Sequence, residues 1–265
     1  MTWLQIVVLA IVQGLTEFLP ISSSGHLVLV PNAFGWTDQG LAFDVAVHFG
    51  SLIAVCVFFR RDIAGLIRGG VELLSFRNET VESRLALGIG LGTIPAAIAG
   101  LTLAGWIETN LRDPSVIVGT LAGYGLLMLL ADRYAGSARN ITQVRLKDAV
   151  IIGIAQALAL VPGTSRSGVT ITAGRILGFA RQDAARFSFL LSVPVILLAS
   201  GYKTLELVLG DAPVPWMELG VGVAVSCIVA YASIEFFMRF VSRIGLLPFA
   251  VYRFILAAVI LYVLF

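Results

Sequence analysis

Charge is scarce in this chain. Of 265 residues, 18 are lysine or arginine and 16 aspartate or glutamate, so charged side chains make up 13% of the sequence, about half the share of an ordinary soluble domain. With 58% hydrophobic residues, that scarcity excludes a soluble globule. The net charge is only +2, too weak an overall field to hold a nucleic acid through its phosphates, so a nucleic-acid partner is excluded as well. Cysteine is almost absent. Cys56 and Cys227 each sit inside an apolar run, where a thiol behaves as a small core side chain, and neither is assigned a redox or metal role.

What is present is apolar sequence in lengths that match a bilayer, whose core of about 30 Å needs roughly 20 residues of helix. Leu85 to Ile107 and Pro114 to Ala131 carry no charge, and Ile244 to Phe265 is interrupted only by Arg253. Leu41 to Phe59, Phe187 to Tyr202 and Leu219 to Ile234 supply three more candidates, which makes six expected spans. Two further apolar stretches are broken near their middles. Trp3 to Leu19 runs into Pro20, Ser22, Ser23, Ser24 and Gly25, and Ala149 to Val161 runs into Pro162, Gly163, Thr164, Ser165, Arg166 and Ser167. A helix can break at membrane depth only where protein or a wet cavity receives the freed backbone groups, so both read as re-entrant hairpins, over about 3–30 and 149–178. The first lacks the basic start of a signal peptide and carries Gln13 and Glu17 in its apolar part, so it is expected to belong to the fold.

Aligned on Ser24-Gly25 and Ser167-Gly168, the two broken segments match in outline. Each has a glutamine (Gln13, Gln156), a hydroxyl cluster and a following apolar helix, with Ser51 and Ser192 at nearly equal distances beyond. A hairpin and three crossings, repeated once, place the second hairpin on the opposite face, which is inverted-repeat topology. The expected fold is therefore an all-α integral membrane protein of one domain, with repeats over about 1–135 and 145–265. Basic residues agree with this count. Fourteen fall on one face, Arg77 among them, and only Arg112 and Lys203 on the other, with Arg166 and Arg253 left inside the membrane. By the positive-inside rule both termini are expected outside.

Each hairpin restarts a helix after its serines, so two helix N-termini, with their unpaired N–H groups and positive dipole ends, are expected near the membrane interior. Such ends bind phosphate. Ser22, Ser23, Ser165, Ser167, Thr164 and Thr170 would add hydroxyl donors, and Arg166 a forked cation suited to a phosphoryl group. Serines and glycines can also merely let helices pack closely, but an arginine inside the bilayer marks a functional site. Gln13 and Glu17, four apart, share a helix face, with His26 beyond the turn. A carboxylate beside a bound anion implies either an intervening cation, such as Mg²⁺ or Ca²⁺ on oxygen ligands, or work on a proton. His26 could serve as acid, base or phosphoryl acceptor. Asp44 and His48 share a face and either support the site or line a wet crevice. Arg253 is expected to snorkel to the interface, or to reach a headgroup or an acid such as Asp44.

The segments Gln13-Gly-Leu-Thr-Glu17-Phe-Leu-Pro-Ile-Ser-Ser-Ser-Gly-His26 and Pro162-Gly-Thr-Ser-Arg-Ser-Gly-Val-Thr170 resemble the two signatures of the bacterial undecaprenyl-diphosphate phosphatases of the BacA (UppP) type. The first matches the family's Glu/Gln-x-x-x-Glu pattern with its trailing Ser-Ser-x-Gly-His, and the second its Pro-Gly-x-Ser-Arg-Ser-x-x-Thr. The resemblance covers essentially the whole chain. It implies an inner-membrane hydrolase that removes the terminal phosphate of a polyprenyl diphosphate and recycles the lipid carrier of wall synthesis. Its fold would be six spans and two re-entrant hairpins, its site would open to the outer face, and a homodimer is implied too. Carried over residue by residue, Glu17, His26 and Arg166 are the positions the family most depends on. Ser22, Ser23, Ser24, Gly163, Thr164, Ser165, Ser167 and Thr170 are implied in substrate binding or attack, and Gln13 with Glu17 in holding the divalent cation. Gln13 stands where the family also uses an acid, which weakens any scheme of two chelating carboxylates. The nucleophile stays open among Ser23, His26 and water, with Ser23 favoured. The competing expectation is a transporter that flips a lipid phosphate without cleaving it.

Overall fold

A computed structural model describes residues 1–37, 39–75, 80–111, 113–209 and 215–264. Arg77 and Arg112 of the charge count lie outside the described residues. Eleven α-helices and one short 3₁₀ turn appear among those described, and no strand. In chain order they are α1 (Trp3–Thr16), α2 (Ser23–Phe34), α3 (Leu41–Phe58), α4 (Arg60–Leu74), α5 (Val81–Asn110), α6 (Pro114–Tyr134), α7 (Leu146–Leu158), α8 (Arg166–Ile176), α9 (Arg181–Leu209), α10 (Trp216–Ile244) and α11 (Leu247–Leu264). Local chemistry sets several of the starts. Thr2 and Gln5 form a capping box before α1, Thr80 caps α5, and Asp113 with Pro114 opens α6.

Five helices, α3, α5, α6, α9 and α10, are long and apolar enough to cross a membrane. The sixth expected span corresponds to α11, which is apolar over Leu247–Val263 but shorter. α4 is the element the sequence reading did not place. It is amphipathic, directly follows α3, and carries Arg60, Arg61 and Arg68.

Both expected helix breaks are present. α1 gives way to α2 across residues 17–22, and α7 to α8 across residues 159–165. Ser22 (φ 73°) and Ser165 (φ 69°), the residues just before the restarts, are the two described non-glycine residues with positive φ. In each case the serine hydroxyl accepts the N–H three residues on, from Gly25 at 3.4 Å and from Gly168 at 3.2 Å. The left-handed backbone turns the chain, and the side chain caps the helix it has just begun.

The two broken segments pack on different long helices. α1 lies on α10 and α7 on α5, while α3 also meets α10 and α9 also meets α5. Glycines permit these approaches: a Cβ at Gly50 would lie 2.4 Å from Val223 O, and one at Gly153 2.4 Å from Gly92 O. An aromatic chain forms the centre. Phe18, in the first turn, meets Phe189 of α9 at 5.2 Å between ring centroids, and Phe189 meets Phe237 of α10 at 5.7 Å.

One end of the bundle is tied together by ion pairs. Asp132 at the end of α6 takes Arg181 at 2.7 Å and Arg175 at 3.3 Å, and its carboxylate also accepts the Leu246 N–H at 3.0 Å. Asp62 of α4 pairs with Arg186 of α9, and Arg139 with Asp148. These contacts engage Arg139, Arg175, Arg181 and Arg186, four of the fourteen basic residues counted on one face. Ser51 and Ser192, matched in sequence, bond carbonyls of their own helices, Val47 at 3.1 Å and Phe189 at 2.6 Å. They take no part in the site.

Candidate active site

The two helix restarts come together. Ser24 Oγ accepts the Gly163 N–H at 3.5 Å, and Ser167 Oγ donates to Leu19 O at 3.0 Å, so each turn is bonded to the hydroxyl that follows the other turn. At their junction lies a cavity of about 350 Å³ whose wall includes Glu17, Ser23, Ser24, Asp44, His48, Ser165, Arg166 and Lys203.

Glu17 is its centre. Oε1 accepts Arg166 Nη2 at 2.8 Å, and Oε2 accepts both Ser23 Oγ at 2.9 Å and Gln13 Nε2 at 3.1 Å. His48 Nε2 stands 3.7 Å from the same Oε2. The His48 Nδ1 lies 2.7 Å from Asp44 O; a carbonyl can only accept, so that nitrogen carries a proton. Arg166 is fixed on three sides, by Glu17, by Ser188 O at 3.3 Å, and by the Phe18 ring, whose centroid is 5.6 Å from its guanidinium carbon. Ser23 and Arg166 are the first residues of α2 and α8, so the positive ends of two helix dipoles adjoin one cavity.

The other expected residues are distributed differently. Ser22 and Ser165 cap the restarts, with Ser165 also in the cavity wall. Thr170 Oγ1 bonds Arg166 O at 2.8 Å and Ser188 Oγ at 2.6 Å. Thr164 is fully buried, and Gly163 (φ +84°) packs where a Cβ would sit 2.2 Å from Thr120 Oγ1. Ser22, Gly163, Thr164, Ser167 and Thr170 thus build the turns, while Ser23, Ser24, Ser165 and Arg166 face the cavity. His26 does not line it. Its Nδ1 bonds Ser22 O at 2.7 Å, its Nε2 is 2.7 Å from Tyr252 OH, and the two rings stack. By the same carbonyl rule Nδ1 holds a proton, so the ring secures the carbonyl of strained Ser22.

Asp44 and His48 line this same cavity, with His48 beside Glu17. Arg253 departs from expectation. It neither reaches the interface nor pairs with Asp44; it is 1% exposed and donates to Leu121 O at 3.1 Å, Thr120 O at 3.2 Å and Gly163 O at 3.0 Å. Gly125, whose Cβ would lie 3.4 Å from that of Arg253, lets α11 come close to α6, so the guanidinium lies under the second turn. Tyr252, Ser188 and Lys203 were not singled out from sequence. Tyr252 lies 226 residues from His26, a separation no local pattern spans.

Among the described residues no three His, Cys, Asp or Glu side chains converge as a metal cluster. Glu17 is a single carboxylate that a hard cation could share with phosphate and water, and its oxygens already accept Arg166, Ser23 and Gln13. Beside the carboxylate, Gln13 is fully buried and its Oε1 has no hydrogen-bond partner, a cost of about 1–3 kcal/mol unless something engages it.

Comparison with known proteins fits this geometry. The family described as "Bacitracin resistance protein BacA" matches residues 6–259. The chain belongs to the BacA family. Its similarity to curated relatives runs over nearly the whole chain: 54% identity over 264 residues to "Undecaprenyl-diphosphatase 2" of Stutzerimonas stutzeri, covering 98% of each chain. It is 54% identical over 258 residues to "Undecaprenyl-diphosphatase" of Hahella chejuensis, 97% of each chain, and 50% over 262 residues to that of Nitrosococcus oceani, 99% of each. BacA membership and five helices of spanning length make this a multi-pass membrane protein.

Proposed function

We infer that the cavity between the two helix restarts is a phosphatase site in which Glu17, Ser23 and Arg166 carry the chemistry. The protein is an undecaprenyl-diphosphatase. It hydrolyses undecaprenyl diphosphate to undecaprenyl phosphate and inorganic phosphate, which returns the lipid carrier to peptidoglycan synthesis. The observation that carries the residue assignment is the meeting of a carboxylate, a hydroxyl and a guanidinium within hydrogen-bond distance at the ends of two helices.

Phosphoryl transfer needs positioning and charge stabilisation above all. Arg166 and the first turns of α2 and α8 hold the non-bridging oxygens of the terminal phosphate. Ser23 Oγ, already donating to Glu17 Oε2, attacks the phosphorus in line and gives its proton to that carboxylate. The bond between phosphorus and the bridging oxygen breaks, and undecaprenyl phosphate leaves. Glu17, once its first proton has passed to solvent through the cavity, deprotonates a water that attacks the phosphoserine, and it returns that proton to Ser23 Oγ as the P–O bond breaks and inorganic phosphate leaves. Arg166 draws electron density from both steps, and His26 keeps the first turn in shape. A divalent cation, Mg²⁺ or Ca²⁺, belongs to this proposal: Glu17 would hold it, joined by the Gln13 amide oxygen once that amide, whose nitrogen faces Glu17, turned over, and it would supply further positive charge against the phosphate.

The architecture proposed is one domain of two inverted repeats, over about 1–135 and 145–265, with re-entrant hairpins at α1–α2 and α7–α8. Support comes from paired features 143 residues apart, the strained caps Ser22 and Ser165 and the buried Gln13 and Gln156, and from the partners α1–α10 against α7–α5. The basic end faces the cytoplasm of a bacterial inner membrane, and both termini lie outside. The cavity opens outward, since Leu41 and Asp44 at the start of α3 and Lys203 near the end of α9 line it. The family likeness alone supports a second copy as partner, which the mass of the detergent-free particle checks.

The function is tested by following inorganic phosphate from undecaprenyl diphosphate with purified protein, with and without EDTA. Chelator-sensitive release that returns with Mg²⁺ or Ca²⁺ is expected. Lipid phosphate crossing liposome membranes without phosphate release would favour the transporter instead.

A further inference from the structure

A second cavity, of about 430 Å³, is lined by Phe49, Leu52, Ile53, Cys56, Val57 and Arg60. Apart from Arg60 at the start of α4, all its lining residues belong to α3, the helix that also lends Leu41, Asp44, Val45 and His48 to the catalytic cavity. Side chains four apart on a helix form continuous ridges. Leu41, Val45, Phe49, Ile53 and Val57 are one such row, and Asp44, His48, Leu52, Cys56 and Arg60 are another. Each row starts in the catalytic cavity and ends in the second one. Asp44 and His48 are the polar side chains these rows lend to the catalytic cavity, and beyond His48 the lining is apolar from Phe49 to Val57, about 12 Å of helix.

We propose that this α3 groove receives the isoprenoid chain of the lipid diphosphate whose phosphates enter the catalytic cavity. The inference rests on the phosphatase reading and adds the site of the substrate's apolar half. A chain covalently joined to a phosphate at Glu17 and Arg166 needs apolar surface within a few bonds, and the two ridges carry it from Leu41 and Val45 in the catalytic cavity on to Phe49, Ile53 and Val57 in the second. Phe49 and Val57 are 44% and 48% exposed, so the groove is open along its side to the lipid phase. The chain can therefore slide in laterally with its head already directed to the cavity, and the groove contacts the first isoprene units beyond the phosphates.

The test compares kcat/KM for undecaprenyl diphosphate and dimethylallyl diphosphate, whose single isoprene unit is too short to occupy the groove, in the wild type, in Cys56→Trp and Ile53→Trp, which fill the groove, and in Ile228→Trp, which places the same bulk on an exposed apolar position of α10. The ratio of long over short substrate is expected to fall about tenfold in the two groove variants, equivalent to about 1.4 kcal/mol, and to hold in Ile228→Trp. An unchanged ratio in both groove variants overturns the proposal and leaves the groove to bulk lipid. Should those variants not fold, a photoreactive isoprenoid diphosphate on wild-type protein decides: cross-links within residues 49–57 support the groove, and cross-links only elsewhere overturn it. A failure of the phosphatase reading looks different, because the wild type would then release phosphate from neither diphosphate.

Discussion

Arg166 Nη2 and Glu17 Oε1 lie 2.8 Å apart across 149 residues of sequence, and this bond joins the two helix restarts at the cavity. Its forked geometry lets one guanidinium hold Glu17 and Ser188 O together while presenting charge to a phosphate. A lysine cannot do all three. Arg166→Lys is expected to lower kcat by about 100-fold or more with little change in thermal stability, measured as phosphate release at saturating substrate beside a melting curve.

Ser23 and Ser24 separate attack from scaffolding. Ser23 Oγ bonds the Glu17 carboxylate, whereas Ser24 Oγ bonds Ser22 at 3.2 Å and the Gly163 N–H. Ser23→Ala is expected to cost about 1,000-fold in kcat, and Ser24→Ala less than about tenfold. Near-normal turnover in Ser23→Ala would remove the serine route and leave water as the nucleophile.

His26 and Tyr252 form a support that is graded in the same way. Loss of one hydroxyl hydrogen bond is worth about 1 kcal/mol, so Tyr252→Phe is expected to lower kcat by less than about tenfold. His26→Ala also frees the Ser22 carbonyl from the bond that restrains a positive-φ turn. Activity and melting temperature should fall together in that variant, and activity alone should fall in Ser23→Ala.

Gly163 tests the second turn. Its φ of +84° and the 2.2 Å approach of a hypothetical Cβ to Thr120 Oγ1 leave no room for a side chain. Gly163→Ala is expected to destabilise the protein by roughly 1–3 kcal/mol, read by denaturant or thermal unfolding in detergent, and to lose activity with it.

Much of this was legible in the sequence because membrane physics leaves few choices. Uncharged runs of bilayer length become helices, and the clusters at Pro20–Gly25 and Pro162–Gly168 break them; α3, α5, α6, α9 and α10 lie where the runs do. Glu17 and Arg166 stand out in the sequence because charge in an apolar segment is costly and therefore conspicuous, and Ser23 because its hydroxyl sits in the cluster where a helix restarts. α4 escaped because its arginines read as a loop on the basic face. Tyr252 and the buried seat of Arg253 escaped because their partners, His26 and Gly163, are brought to them only by tertiary packing. The division of the hydroxyls into turn builders and cavity liners depends on backbone direction at Ser22 and Ser165, which the residue types alone do not encode.

The most direct measurement is single-turnover release of inorganic phosphate from undecaprenyl diphosphate by purified wild type, Glu17→Ala, Arg166→Ala and the double variant, each shown to be folded. If the two residues act as one unit at the paired restarts, each single change nearly abolishes release and the double change adds little. Release close to the wild-type rate in either folded single variant would contradict the account.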